Sequence, residues 1–173
     1  QYGYGNRQFE NTDSLFLKKR RVIDKGNTEV VAEYIKEMTG ADVFRIMPDK
    51  EYEKIQDYDE LVELTRIEHE NDERPTFNGK INDIGKYDTI FIGSPIWWYT
   101  FPQVMYTFLD SYDLNGKTII PFTTHEGSGL ADVVEVLRKY YPNATVAEGL
   151  AIRGRDAVKS KEKVVRWLEK TGF

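Results

Sequence analysis

The sequence predicts an α/β domain of three layers, in which a doubly wound parallel sheet of five strands lies between two layers of helices. Short apolar runs rich in β-branched and aromatic residues alternate with longer segments of helical periodicity along the 173 residues. This alternation is typical of parallel strands joined by helical crossovers, which cover both faces of the sheet. Because such crossovers are right-handed, we expect the strand order 2-1-3-4-5.

The first strand is the least regular of the predicted elements. In this order it is central and buried on both faces, yet residues 18–21 are four consecutive cations, which are costly to bury. Two interpretations remain open. Residues 14–17 could form the strand, with residues 18–25 as a long basic loop, or the segment could lie outside the sheet. We expect residues 1–12 to be a mobile N-terminal extension.

The next elements show regular periodicity. A first helix is expected from Thr28, because apolar residues recur at helical spacing until Gly40. Residues 41–47 predict the second strand, and residues 57–70 predict a second helix, followed by an irregular connection. The inward positions of these helices are expected to be Val30, Val31, Tyr34, Ile35 and Met38 in the first, and Leu61, Leu64 and Ile67 in the second.

The second half of the chain contains three further strand patterns. Strands are expected over residues 88–93, 117–122 and 144–152, and helices over residues 102–112, 130–137 and 156–170. No internal repeat or linker divides the chain, so residues 1–173 are predicted to form a single domain. The inward helix positions are expected to be Val104, Phe108 and Leu109, then Leu130, Val133, Val134 and Leu137, and finally Val158, Val164, Val165 and Leu168.

Charge and composition exclude several classes of function. The net charge is −5, and residues 49–73 contain eleven acidic residues but only three lysines and arginines, so nucleic-acid binding is not expected. The acidic segment could attract a basic redox partner, although a solvated helix face is the plainer interpretation. No apolar run approaches the ~20 residues that cross a bilayer, so no membrane association is expected.

The types of ionisable residue restrict the chemistry further. The chain has no cysteine, which excludes disulfides and thiolate sites and fits a cytoplasmic protein. His69 and His125 are the only histidines, and neither has neighbours at metal-ligand spacing, so no metal site is expected. We also expect no catalytic side chain. The sequence does not indicate the oligomeric state.

Three segments are expected to meet at the carboxyl edge of the sheet, where ligands bind in folds of this class. The first segment, residues 26–28, lies at the start of the first helix. The second, residues 94–99, follows the third strand and ends in three consecutive aromatic residues. The third, residues 124–129, follows the fourth strand and contains hydroxyl groups and glycines. Simple capping of the core by the aromatic residues, and an ordinary turn in the third segment, are the plainer alternatives. The candidate binding residues are Gly26, Asn27, Thr28, Ser94, Pro95, Ile96, Trp97, Trp98, Tyr99, Thr124, His125, Gly127, Ser128 and Gly129.

These segments resemble the flavodoxin-like FMN proteins, especially a bacterial branch with loops near G-x-P-x-W-W and T-H-x-G-S-G. The resemblance extends over roughly residues 26–167 and implies a cofactor, FMN, and a flavodoxin-like fold. It implies that Trp97 stacks on the flavin, that Trp98 or Tyr99 closes the site, and that Asn27 and Thr28 hold the phosphate. The match is weakest before Gly26, because residues 23 and 25 are not the hydroxyl residues of the family's phosphate loop.

The resemblance leaves three functions open. The first is an FMN protein for electron transfer or flavin-dependent reduction, in which the cofactor carries the redox chemistry. The second is a flavodoxin-fold binding module that has lost FMN with its phosphate loop. The third is an NAD(P)H-dependent quinone reductase, which needs space above the flavin that Trp98 and Tyr99 could fill.

Overall fold

The computed structural model describes residues 25–50 and 52–173. For residue 53 it describes the backbone only. The expectations for the first strand and for the mobile extension therefore lie outside the described residues. The helices are α1 (Asn27–Thr39), α2 (Tyr58–Glu70), α3 (Gln103–Ser111), α4 (Val133–Tyr140) and α5 (Lys161–Thr171). The strands are β1 (Met47–Pro48), β2 (Phe77–Asn78), β3 (Thr89–Pro95), β4 (Thr118–His125), β5 (Thr145–Val146) and β6 (Leu150–Arg153), and short 3₁₀ helices cover Tyr52–Lys54, Ile84–Lys86 and Gly154–Lys159.

The main sheet is parallel and has β4 at its centre. Strand β3 pairs with β4 from Thr89 opposite Thr118 to Pro95 opposite Thr124. Strands β5 and β6 pair in succession with the other side of β4. Strands β1 and β2 form a separate antiparallel pair. The described residues therefore form an α/β fold with a parallel sheet, but they do not assemble the five-strand order 2-1-3-4-5.

Helices cover both faces of this sheet. On one face, Val31 and Ile35 of α1 and Val164 and Leu168 of α5 pack over apolar side chains of β4 and β6. On the other face, α3 and α4 pack over β3 and β4, with Leu109 and Leu137 in the centre. The inward positions that the structure confirms are Val31, Ile35, Leu61, Val104, Phe108, Leu109, Val133, Leu137, Val164 and Leu168.

Two predicted strands differ from the structure. Residues 41–46 form no regular strand, and only Met47–Pro48 pair, with β2 rather than within the parallel sheet. The expected partner of this strand lies outside the described residues. The expected fifth strand is split into β5 and β6, because between the two pairings residues 147–149 lie opposite only residues 120–121 of β4. The last of them, Gly149, lies so close to β4 and Leu130 that a Cβ there would be 2.9 Å from the Leu130 side chain.

The inward faces of three helices were also predicted incorrectly in part. In α1, Met38 in the last turn is 48% exposed instead of facing the core. In α2 the buried positions after Leu61 are Thr65 and Glu68, whereas Ile67 is 38% exposed. The expected final helix begins as the 3₁₀ helix Gly154–Lys159, and α5 starts only after Ser160. This change of helix type shifts the periodicity, so Val158 is 65% exposed instead of facing the core.

Candidate functional site

The three predicted segments meet at the carboxyl edge of the parallel sheet, around Thr124. The Thr124 hydroxyl lies 2.7 Å from the hydroxyl of Thr28, in the first turn of α1. The backbone carbonyl of Thr124 accepts a hydrogen bond of 3.2 Å from the N–H of Ile96. Since Thr124 is fully buried, these contacts fix the first and second segments to the end of β4.

The start of α1 is suited to an anion. Gly26 is the N-cap and has no side chain to bond the amides of the first turn, where helix N–H groups and the helix dipole favour negative charge. Asn27 is buried there beside Thr28. The one acidic side chain in the first turn, Glu29, pairs with Arg45 at 3.4 Å, which offsets its repulsion of an anion.

The aromatic segment forms a tight turn with an uncommon backbone. Trp97 and Thr100 exchange two backbone hydrogen bonds of 3.0 Å, so Trp98 and Tyr99 are the two central residues of a hairpin turn. Their φ angles are 52° and 63°, which corresponds to a type I′ turn. Glycine and asparagine usually occupy these positions, because a side chain in the left-handed region is strained. Two bulky aromatic residues are therefore held there by their surroundings.

The turn directs its three rings differently. Trp97 is only 5% exposed and packs with the edge of its ring system against Tyr52, at 5.8 Å between centroids. Trp98 is half-buried and donates from Nε1 to the Thr65 hydroxyl at 3.3 Å. Tyr99 is 55% exposed. The most exposed ring of the second segment is therefore that of Tyr99, whereas Trp97, the expected stacking residue, is buried in the protein.

A buried polar cluster supports this turn from below. Glu68 is 1% exposed and accepts two hydrogen bonds of 3.0 Å from the Tyr52 hydroxyl and one of 2.6 Å from Lys50 Nζ. Burial, followed by the charge of Glu68, raises the pKa of Tyr52, so its hydroxyl remains a donor. The space between α2 and Trp97 has a volume of about 10 Å³, room for about one water.

The sequence of α2 contains a spacing that indicates this cluster, although the apolar residues of the helix favour a different inward face. Leu61, Thr65 and Glu68 recur at intervals of four and three residues, which places them on one face of α2. The contact of Trp98 with Thr65 and the contact of Tyr52 with both Glu68 and Trp97 make this face the support of the aromatic turn.

Two other residues of the second segment, Ser94 and Ile96, make their contacts inside the protein. The Ser94 hydroxyl donates to the Pro95 carbonyl at 2.7 Å. Ile96 is fully buried in the core beneath α3. These residues shape the edge of the sheet, and their side chains do not reach outward.

The third segment contains polar atoms for which the described residues provide no hydrogen-bond partner. Residues 123–125 belong to β4 rather than to a loop, and the Thr123 hydroxyl donates to the Gly129 carbonyl at 2.9 Å. Three polar atoms at the end of β4 and after it are buried without a hydrogen-bond partner among the described residues: His125 Nδ1, Ser128 Oγ and Asp132 Oδ1. Buried unpaired polar atoms cost about 1–3 kcal/mol each, so a ligand or water that bonded them would be favoured. Asp132 was not predicted from the sequence.

The backbone around these atoms is open. Gly127 is exposed, and a Cβ placed on it would have no neighbour within 4 Å. Gly129 and Ala131 have φ angles of 64° and 47°, so the segment turns sharply before α4. A ligand could therefore approach the backbone at Gly127. The polar groups of the third segment fit the heteroatom edge of a flavin, whereas the aromatic contact would come from Tyr99.

His125 carries no charge at neutral pH. Burial, followed by the positive charges of Arg153 and Lys163, lowers the pKa of His125 below its ordinary value of about 6.5. The imidazole is therefore neutral at pH 7, with one nitrogen able to accept a hydrogen bond and one able to donate.

Comparisons with known proteins concern the family and the fold of this chain. A family model described as flavodoxin matches residues 22–171. A protein from Bacteroides eggerthii, assigned provisionally as a flavoprotein, is 31% identical over 83% of this chain and 89% of its own, with a TM-score of 0.71. A similarly assigned protein from Bacteroides uniformis is 30% identical over 82% and 90%, also with a TM-score of 0.71.

A more distant structure shares the fold. The flavoprotein from Lactobacillus acidophilus, solved in complex with FMN, is 20% identical over 76% of this chain and 89% of its own, with a TM-score of 0.56. A comparison with curated proteins gave no match. Within the part of the chain that the structure describes, no helix has the length and apolar character required to cross a membrane.

Proposed function

Because this chain belongs to the flavodoxin family, we propose that it binds FMN and acts in electron transfer or in flavin-dependent reduction. When bound, FMN supplies one- and two-electron redox chemistry, and the protein supplies binding, orientation and exclusion of water. The structure of the Lactobacillus acidophilus flavoprotein, which contains FMN, supports this choice of cofactor. A cytoplasmic location and a basic redox partner remain predictions.

The observation that carries the proposal is the unsatisfied third segment beside the meeting point of the first two. Thr124 contacts both Thr28 and Ile96 at the sheet edge. Further along the chain, Ser128 Oγ and Asp132 Oδ1 are buried without a hydrogen-bond partner in the described region. A flavin placed over this edge would offer these groups the carbonyl and nitrogen atoms of its pyrimidine ring, which are hydrogen-bonding groups.

Each segment would have a separate role in binding. The start of α1, at Gly26, Asn27 and Thr28, would hold the phosphate through backbone N–H groups. Tyr99 would cover one face of the flavin, since its ring is the exposed one in the aromatic turn. Ser128 and Gly127 would contact the polar edge. The imidazole of His125 would lie nearby, and its lowered pKa favours the neutral form.

The second candidate is a flavodoxin-fold module that does not bind FMN. Two observations favour it: Trp97 is buried against Tyr52, and the space beside Trp97 and Trp98 has the volume of about one water. The departure from the family's phosphate loop before Gly26 points the same way. The reductase interpretation has no specific structural observation in its favour.

Titration of the full chain with FMN tests the proposal. Flavin fluorescence should be quenched to saturation, and the purified protein should show flavin absorption. Ser128→Ala should weaken FMN affinity about threefold to tenfold, because it removes a hydrogen bond in a buried site. Ser111→Ala is a matched control, since the Ser111 hydroxyl only donates to the carbonyl of Thr107 in α3. A colourless chain that fails to quench FMN would establish the second candidate.

A further inference from the structure

A cleft of about 540 Å³ lies beyond the carboxyl ends of β4 and β6, beside the first turn of α5. Its volume falls within the range of about 300–1,000 Å³ that is usual for small-molecule sites. The residues that give it chemical character are His125, Arg153, Asp156, Lys159, Ser160 and Lys163. It lies on the side of His125 away from β3, because β6 pairs with β4 on the edge opposite β3.

The cleft is basic, although the chain as a whole is acidic. Three cationic side chains face one carboxylate, that of Asp156, which lies 3.9 Å from Arg155. Lys163 Nζ is positioned by a hydrogen bond of 2.8 Å to the Ala151 carbonyl. Arg153 and Lys159 form no ion pair within the described ranges. A net positive charge therefore lines the cleft, which favours an anionic ligand.

The start of α5 adds to the same potential. Ser160 is the N-cap, but its hydroxyl donates to the Ala157 carbonyl at 2.7 Å and does not bond the amides of the first turn. Helix α5 has eleven residues, so its N-terminal N–H groups present a partial positive charge. Ser160 lines the cleft, which places this helix end at the cleft wall.

His125 provides an independent indication of a ligand. It is 9% exposed, it lines the cleft, and its Nδ1 atom is buried with no partner among the described residues. On the adjacent strand its direct neighbour is Arg153, and Lys163 faces it from α5. These two cations favour the neutral form of the imidazole, and a negative group beside it would offset their effect and satisfy the buried nitrogen.

From this arrangement we propose that the cleft binds the phosphate group of a small molecule other than FMN. The proposal does not depend on FMN binding, because the start of α1, which is the proposed position of the cofactor phosphate, belongs to a different helix. Arginine supplies a planar pair of donors for phosphate oxygens, and the lysines supply mobile point charges. The neutral imidazole of His125 would lie at the inner end of the cleft, where a bound dianion would favour its protonation.

Histidine NMR of the full chain tests the proposal with inorganic phosphate as the probe. His69 and His125 are the only histidines, so His125→Gln assigns both signals. Phosphate, against chloride at equal ionic strength, should shift the His125 ring signals to saturation, raise the pKa of His125 and leave His69 unchanged. Arg153→Ala or Lys159→Ala should weaken phosphate about threefold, whereas Lys139→Ala, an exposed cation on α4, should have no effect.

Three results would overturn the proposal. Phosphate could give no saturable shift at His125, or it could act no differently from chloride. Alternatively, FMN could abolish the phosphate response while Arg153→Ala weakens FMN but not riboflavin, which would assign the cleft to the cofactor's own phosphate. A phosphate response that persists in the FMN-loaded chain supports a separate site. If the chain takes up no FMN, the phosphate titration of the free chain still tests whether the cleft binds phosphate.

Discussion

The left-handed turn at Trp98 and Tyr99 predicts that two substitutions at the same position will differ in folding stability but not in FMN affinity. Tyr99 is the better position for a test, because its side chain is largely exposed and Trp98 is bonded to Thr65. Tyr99→Ala removes the ring but keeps a Cβ at a φ angle of 63°, whereas Tyr99→Gly removes both. The difference between the two variants isolates the strain of a side chain in this backbone conformation.

The expected size of that difference follows from two opposing terms. A left-handed conformation costs a residue with a side chain about 1–2 kcal/mol, and glycine avoids this cost. Glycine loses about 0.5–1 kcal/mol more backbone entropy on folding. Tyr99→Gly should therefore be more stable than Tyr99→Ala by about 0.5–1 kcal/mol. With a urea dependence of about 2 kcal/mol/M, the midpoints should differ by about 0.4 M.

Both substitutions should weaken FMN to the same extent, since both remove the exposed ring. An aromatic contact of this kind contributes about 0.5–1.5 kcal/mol, so the affinity measured by fluorescence quenching should fall about two- to tenfold. An alanine variant at least as stable as the glycine variant would refute the left-handed turn. Unchanged FMN affinity in both variants would refute the contact between Tyr99 and the flavin, and it would leave the stability comparison intact.

Three further predictions concern the support of the site. Tyr52→Phe should lower the free energy of unfolding in urea by about 2 kcal/mol, because the charged carboxylate of Glu68 loses its hydroxyl donor; a loss below ~0.5 kcal/mol would contradict this. Gly93→Ala should cost about 2–3 kcal/mol, since its Cβ would lie 2.0 Å from the Phe122 ring, and Phe122→Leu should restore part of that loss. Because the pKa of His125 is lowered in the folded state, the unfolded chain binds the proton more tightly. Stability should therefore fall as pH drops below about 6.5, and a wild-type slope there that persists in His125→Gln would contradict this.

The sequence predicted the elements whose burial is decided locally. Helices α3 and α4 have apolar residues at helical spacing, and the structure buries those residues on one face of the sheet. Strands β3 and β4 are short apolar runs that pair in parallel, as their composition indicates. In these elements the apolar pattern and the tertiary contacts agree, so the pattern was sufficient.

The inward face of α2 could not be obtained in the same way. Apolar periodicity favours Leu64 and Ile67, but the structure buries Glu68 because Lys50 and Tyr52 satisfy its carboxylate. Those partners lie 18 and 16 residues earlier in the chain, so no local pattern reveals them. A carboxylate can be buried where other groups offset the cost of its desolvation. Here those groups come from a distant part of the chain, so the burial depends on tertiary contacts.

The direction of Trp97 was equally inaccessible, because it depends on the type of turn that follows. Type I′ turns are normally indicated by asparagine and glycine, and neither occurs in the aromatic segment. With Trp98 and Tyr99 as the central residues, Trp97 belongs to the hairpin base and faces Tyr52, while Tyr99 projects outward. The aromatic composition predicts where a site lies, and that stays a prediction, but which of the three rings is exposed could be read only from the backbone.

The positions where local rules fail are concentrated at one edge of the sheet. Trp98 and Tyr99 carry backbone strain there, and Ser128 and His125 carry unpaired buried atoms a short distance along the same edge. Each of these features raises the free energy of the protein without a ligand, whereas the cores beneath α1, α3, α4 and α5 show regular packing. A sequence retains such costs where ligand binding offsets them. A ligand at this edge should therefore stabilise the fold, and above its Kd the stabilisation should rise with the logarithm of its concentration.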